Sequence, residues 1–296
     1  MKDILVTGGS GQVGRALLAG APKAGFRFVA PGRDELDLLH PQSFAYVLGS
    51  RPWAAIINAG AYTAVDKAET EVEQAWRINA LAPAVLAREA AKAGVPLVHV
   101  STDYVFSGAG DRLYREDDGV APLGVYGASK EAGEQGVRTG GGRSVIVRAS
   151  WVVSPWRNNF IKTMLRLGAE RDVVRVVADQ KGAPTSAIDL AHVLATIACA
   201  LANDATAPTG TFHFSNAGVT NWADFATEIF RLSAARGGHC ARVEPITTAQ
   251  YPTAARRPAY SCLSTERVQK LYGLSPRPWE AAVADIIDEL IPSRAP

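Results

Sequence analysis

Short apolar runs rich in β-branched residues recur along the first half of the chain. Ile4–Thr7, Phe26–Ala30, Ala55–Asn58, Leu97–Ser101 and Ser144–Arg148 are the clearest. Between them lie alanine-rich stretches with a helical period, among them Gly14–Ala21, Val72–Ala80 and Pro83–Ala93. The runs stay apolar instead of alternating, as strands buried on both faces do. Strand and helix in alternation predict an α/β protein with a doubly wound parallel sheet.

After Ser150 the pattern changes. Trp151, Trp156, the prolines near Ala183–Pro184 and Arg256–Pro258, and irregular spacing predict a smaller mixed α/β lobe. Residues 1–150 are expected to form the first domain and residues 151–296 the second. Ile188–Ala202 reads as a helix after Thr185-Ser186, and the stretch near 187–203 is expected to return to the first domain. Gly140-Gly141-Gly142 reads as a loop before the strand at Ser144.

Composition narrows the class without choosing within it. The 296 residues suffice for one large or two modest domains, and 47% hydrophobic with 20% charged residues is ordinary for a globular protein. A net charge of +2 gives no reason to expect nucleic acid or an anionic membrane as partner. No apolar run reaches the ~20 residues of a membrane span. MKDILVTGG enters directly on a strand and a glycine loop, so no signal peptide is expected. Cys199, Cys240 and Cys262 form neither a metal-ligand spacing nor a disulfide framework, which fits a reducing cytoplasm. No metal is expected.

Chemistry first appears in VTGGSGQVGRALL, Val6–Leu18. It reads as Gly8-x-x-Gly11-x-x-Gly14 or as Gly9-x-Gly11-x-x-Gly14, after the first strand and at the mouth of the first helix. Glycines there let the backbone approach a pyrophosphate, and the helix start supplies free N–H groups. This strand–turn–helix context predicts a Rossmann-type dinucleotide site. After the second strand, Ala30, Pro31 and Gly32 offer no carboxylate for a ribose 2′-hydroxyl, and Arg33 follows. An arginine there suits the 2′-phosphate of NADP, so NADPH is expected ahead of NADH.

VYGASK, Val125–Lys130, places Tyr126 and Lys130 about one helical turn apart, on one face. A free phenol has a pKa of about 10, and a nearby ammonium lowers it towards the range of a useful acid. The strand Leu97–Ser101 runs into Thr102 and Asp103, where an open α/β sheet places its ligands. A hydroxyl there can hydrogen-bond a substrate carbonyl, so Thr102, Tyr126 and Lys130 become a candidate triad.

These motifs resemble the extended short-chain dehydrogenases/reductases. Ile57–Glu69, Ser101–Gly108, Asp179–Ala191, Gly210–Gly218 and Ala255–Thr265 narrow the resemblance to the dTDP-4-dehydrorhamnose reductases, over nearly the whole chain. The resemblance implies reduction of the 4-keto group of a dTDP-sugar by NAD(P)H. It implies Thr102, Tyr126 and Lys130 as catalytic residues, with Tyr126 the proton donor and Lys130 also on the nicotinamide ribose. It implies cofactor contacts from Gly8, Gly11, Gln12, Val13 and Gly14, from Asp37 and Leu38, and from Ala61, Tyr62 and Thr63. Asp103 and Trp151 are implied as substrate contacts. Arg256 and Arg257 suit the diphosphate, with a solvated loop as the competing reading.

Where a metal-bridged dimer would draw a carboxylate from the first helix, this chain has Gly14-Arg15-Ala16. A monomer or another homodimer is expected. Two further readings stay open: another nucleotide-sugar reductase or epimerase, and a regulatory subunit like that of methionine adenosyltransferase. His99 and His213 read as core residues. His40, His192 and His239 show no ligand spacing. Trp53 and Trp76 read as packing residues, and Asp66, Lys67 and Glu69 as a surface turn.

Overall fold

The structure is a computed structural model, and it describes residues 1–20 and 25–291. Five of its strands are β1 (Lys2–Thr7), β2 (Phe26–Val29), β3 (Trp53–Asn58), β4 (Leu97–Thr102) and β5 (Ser144–Ala149). Each lies within two residues of an apolar run in the sequence. With the strand Gly210–Phe214 they form one sheet in the order 210–214, β5, β4, β3, β1, β2, parallel throughout. From β1 the chain steps to β2 on one side and later to β3 on the other. That reversal opens a crevice at the carboxyl ends of the strands.

Alternate side chains leave a strand on opposite faces, so both faces are covered. Ile4, Val6, Ile57 and Val147 pack against Val13 and Leu17 of the helix Gln12–Ala19, and against Leu190, Leu194 and Ile197 of the helix Ala187–Asn203. Leu5, Ile56, Leu97 and Ile146 meet Phe44, Leu86, Ala90 and Val137 on the other face. The first helix was expected over Gly14–Ala21, and Ala21 lies outside the described residues.

The stretches expected at 72–80 and 83–93 are one continuous helical run, Val72 to Lys92. It widens into a single π turn at Arg77–Leu81, just ahead of Pro83. A π turn bulges one residue out of register, and here that residue class includes the buried Asn79.

A second core holds the helices Phe160–Glu170, Trp222–Ala234 and Trp279–Leu290, through Ile161, Phe225, Ile229, Val283 and Ile286. Strands Val173–Val177 and Arg242–Ile246 pair in parallel beside it. The chain passes between the two cores repeatedly, because the 187–203 helix and the 210–214 strand both belong to the large sheet. A small cluster of Val105, Phe106, Tyr114 and Leu263 joins the lobes, with Phe106 stacked on Tyr114 at 4.2 Å. Trp53 is buried and donates to the Val47 carbonyl at 2.9 Å, whereas Trp76 is 40% exposed. Among the described residues no helix is long and apolar enough to cross a membrane.

Candidate active site

The glycine loop closes over the end of β1. Gly8 has a φ of +69°, a left-handed conformation that glycine adopts freely, and a Cβ there would lie 2.6 Å from the Gly60 backbone. A Cβ on Gly14 would lie 2.2 Å from the Gly8 carbonyl oxygen, so the helix starts tight against the loop. Gly11 sits at the helix start with no side-chain cap, which leaves the first N–H groups open to an anion. The Gln12 side chain is occupied elsewhere. Its Oε1 accepts from Ser154 at 2.8 Å and Asn159 at 3.0 Å, and its Nε2 donates to the Val152 carbonyl at 3.2 Å. The glycine loop is thereby clamped to the segment that follows β5, and what Gln12 keeps for a ligand is its backbone N–H, next to that of Val13.

Arg33 is exposed and makes no hydrogen bond or ion pair among the described residues. Asp37 accepts from the Leu39 N–H at 3.0 Å and so shapes its own turn, while Leu38 packs over Gly60. Ala61, Tyr62 and Thr63 follow the end of β3. Asn79 of the π turn grips Tyr62 on both sides, accepting from its N–H at 2.8 Å and donating to its carbonyl at 3.0 Å. Asn79 also donates to Ser129 Oγ at 3.1 Å, on the helix that carries Tyr126. The Tyr62 hydroxyl donates to Glu71 at 2.6 Å, which pushes its pKa up to about 12.

The candidate triad comes together at the end of β4. Thr102 Oγ1 donates to Asp103 Oδ1 at 3.1 Å and accepts from the Tyr104 N–H at 3.2 Å. The Thr102 hydroxyl is close enough to the Tyr126 phenol to favour its ionised form. Tyr104 meets the Tyr126 ring edge-on, centroids 5.6 Å apart. The expected effect of Lys130 on this phenol does not appear. Burial, chiefly, pushes Tyr126 up to about 12; the Thr102 hydrogen bond opposes this and the Asp103 charge adds to it. The reason is geometric. Lys130 is buried one turn along the helix Val125–Arg138, and its ammonium is drawn to the Val100 carbonyl at 2.7 Å and lies 3.5 Å from His99 Nε2. Burial pulls Lys130 down to about 8, with Glu134 opposing.

Asp103 is 1% exposed, and burial raises its carboxyl to about 6 against the pull of the Ser261 and Thr102 hydroxyls. Its Oδ2 has no hydrogen-bond partner among the described residues. Trp151 follows β5 with a φ of +46°, unusual for a bulky residue. Its ring stacks on Trp222 at 3.6 Å, and a Cβ on Gly182 would lie 2.5 Å from it. Arg257 is committed to Asp66, with its Nη2 donating at 2.8 Å and Nη1 at 3.3 Å.

Two acidic residues read as a surface turn thus have defined partners. Asp66 holds the 255–257 loop of the second lobe and also accepts from the Ala255 N–H at 3.1 Å. Glu69 accepts from the Val125 N–H at 2.8 Å and so caps the helix that carries Tyr126 and Lys130. Replacing Glu69 by alanine should cost about 1 kcal/mol, the scale of a lost helix cap, read as a lower midpoint in urea unfolding.

A match to the RmlD substrate binding domain family spans residues 1–291. A dTDP-4-dehydrorhamnose reductase of Aggregatibacter actinomycetemcomitans is 40% identical over 97% of this chain and 98% of its own. The chain belongs to the dTDP-4-dehydrorhamnose reductase family. Another member, from Escherichia coli, is 39% identical over 99% of both chains. Among solved structures, a dTDP-4-dehydrorhamnose reductase of Bacillus anthracis in complex with NADP superposes with a TM-score of 0.90 at 35% identity, covering 98% of this chain and all of that one. Members share the fold from end to end, so family membership covers both lobes.

Proposed function

We propose that this protein reduces the 4-keto group of dTDP-4-dehydro-β-L-rhamnose to give dTDP-L-rhamnose, with NADPH as the preferred reductant and NADH as the alternative. The observation that carries the reading is the placement of Thr102, Tyr126 and Lys130 at the β4 end of the crevice, in a chain that matches its family across both lobes. A capless helix start, glycines at 8 and 14 with no room for a Cβ and an exposed Arg33 with no partner among the described residues fit a dinucleotide's pyrophosphate and 2′-phosphate. When bound, the cofactor supplies hydride to the sugar's C4.

The chain's own residues do the rest. Tyr126 stays protonated through neutral pH and gives its proton to the oxygen that becomes the alcohol. Thr102 donates a hydrogen bond to that oxygen as charge develops on it, and a donor placed in advance is worth most at that moment. Lys130, one turn along the same helix, is left to hold the nicotinamide ribose rather than to shift the phenol. Asp103 Oδ2 is available to a sugar hydroxyl, and Trp151, braced by Trp222, to the sugar face. Arg257 would meet the diphosphate only by leaving Asp66. A cytoplasmic monomer or homodimer fits the same reading.

The test is loss of NADPH absorbance with dTDP-4-dehydrorhamnose made in situ from dTDP-glucose, and dTDP-L-rhamnose as product. No loss with either cofactor, from protein that binds NADPH, would end the reading. The cofactor preference has its own test. Arg33→Ala should raise KM for NADPH about tenfold, the loss of roughly 1.4 kcal/mol, and leave KM for NADH unchanged. Equal wild-type values that the substitution does not alter would remove Arg33 from cofactor choice.

A further inference from the structure

His99 on β4 is fully buried, and the chemistry above gives it no task. Its two ring nitrogens face different neighbours. Nδ1 lies 2.9 Å from Asn58 Nδ2, and Nε2 lies 3.5 Å from Lys130 Nζ. Behind Asn58 the chain continues. Thr7 Oγ1 donates to Asn58 Oδ1 at 2.6 Å and accepts from the Gly60 N–H at 3.2 Å. This order gives each donor an acceptor: Gly60 to Thr7, Thr7 to Asn58, Asn58 to His99. Turning the Asn58 amide round would leave the Thr7 hydroxyl hydrogen without one among these groups.

A neutral imidazole that accepts at Nδ1 carries its hydrogen on Nε2. That hydrogen faces the Lys130 nitrogen. An ammonium has three donors and no acceptor, so it meets the Nε2–H donor against donor. An amine meets the same hydrogen with its lone pair. We propose that His99 is a positioning residue for Lys130: held by Asn58 and Thr7, its Nε2–H fixes the place of the lysine nitrogen and favours the amine, so that β4 sets the pH at which Lys130 changes charge.

The surroundings agree. Burial, with the Lys130 charge adding to it, holds His99 well below the usual histidine range, so the ring is neutral and has one N–H. The other groups around the lysine cannot take over this role. Val100 offers a carbonyl that accepts from either form. Glu134, one turn along, favours the ammonium, but it is shared among Arg148 of β5, Arg138 and Ser101 of β4. Tyr126, one turn back, is held protonated by burial and so adds no charge beside the lysine. Asp103, after β4, is tied to Thr102 at 3.1 Å.

The proposal rests on the reading above only in taking Lys130 as an active-site residue; the link between His99 and Lys130 does not depend on which sugar is reduced. The first experiment therefore needs no activity. Nitrogen NMR of the imidazoles and carbon NMR of the lysines, in the whole protein across the alkaline range, should show His99 carrying hydrogen on Nε2. Its nitrogen shifts should move with the Lys130 titration. An Nδ1–H ring at every pH, or His99 shifts indifferent to Lys130, overturns the proposal.

The second experiment uses His99→Gln, whose amide can turn an oxygen towards an ammonium. The Lys130 midpoint should rise by about one pH unit or more, a tenfold change in its equilibrium. The alkaline fall in kcat should move with it, while KM for the keto-sugar stays within about twofold of wild type. An unmoved Lys130 midpoint in folded His99→Gln overturns the proposal, and if that variant does not fold the wild-type spectra decide. Coupled His99 and Lys130 titrations in a protein without keto-sugar turnover would sink the substrate reading and leave this inference standing.

Discussion

Tyr126→Phe is expected to lower turnover of the keto-sugar by about 10²-fold or more, the usual scale for losing a general acid. The phenyl ring keeps the edge-on contact with Tyr104 and loses only the hydroxyl. Fold and NADPH affinity should therefore stay near wild type, which separates lost chemistry from lost structure. The pH profile adds a second reading. Tyr126 is pushed up to about 12, chiefly by burial, so the acid stays loaded throughout the neutral range. Lys130 is pulled down to about 8, again by burial, so it loses its charge first as pH rises. Wild-type kcat should thus fall on the alkaline side near the lysine's value and well before the tyrosine's. Turnover of Tyr126→Phe equal to wild type would remove Tyr126 from the mechanism.

The features readable in the sequence are the local ones. Apolar runs locate β1 to β5 because burial on both faces imposes composition on consecutive residues. The glycine loop is readable because close backbone approach excludes Cβ atoms at fixed spacing. The one-turn spacing of Tyr126 and Lys130 is readable for the same kind of reason. Its electrostatic consequence is not. Whether the ammonium lowers the phenol depends on where it points, and the Val100 carbonyl, on another element, decides that. Asn79, Glu69 and Asp66 escaped for a related reason. Each acts on a partner far along the chain: Ser129, Val125 and Arg257. An isolated asparagine or glutamate carries no local sign of such a partner. For Asn79 a faint signal exists, a polar residue inside an apolar helical stretch just before Pro83. His99 was legible as buried because it interrupts an apolar strand, but its orientation between Asn58 and Lys130 was not.

The largest stability effect should come from Glu134. This glutamate is fully buried, 0% exposed, beside Arg148 at 2%. Its carboxylate accepts two hydrogen bonds from Arg148, at 2.9 and 2.7 Å, one from Arg138 at 2.6 Å and one from Ser101 at 2.5 Å. Burial alone would raise its pKa; the hydrogen bond and charge of Arg148, helped by Ser101 and Arg138, outweigh that and hold it below the ordinary glutamate value. Glu134→Gln keeps the shape and strands the Arg148 guanidinium without its counter-charge. Breaking one side of a buried pair costs about 3–5 kcal/mol, or roughly 10 °C in Tm for a chain of this size.

The sign with pH follows from the lowered value. Stability from Glu134 is fully present above the unfolded-state pKa and is lost as pH falls through the lower folded one. The wild type should therefore lose Tm over the Glu134 difference on acidification, and the variant should lose less over the same window. The double variant Glu134→Leu with Arg148→Met removes both charges and should recover much of the loss, since an apolar pair of similar volume often serves as well as a buried ion pair. Because the pair joins β5 to the helix carrying Tyr126 and Lys130, Glu134→Gln should also lower kcat. A variant as stable as wild type at neutral pH would mean that water reaches Arg148 and that the helix is held by its apolar contacts alone.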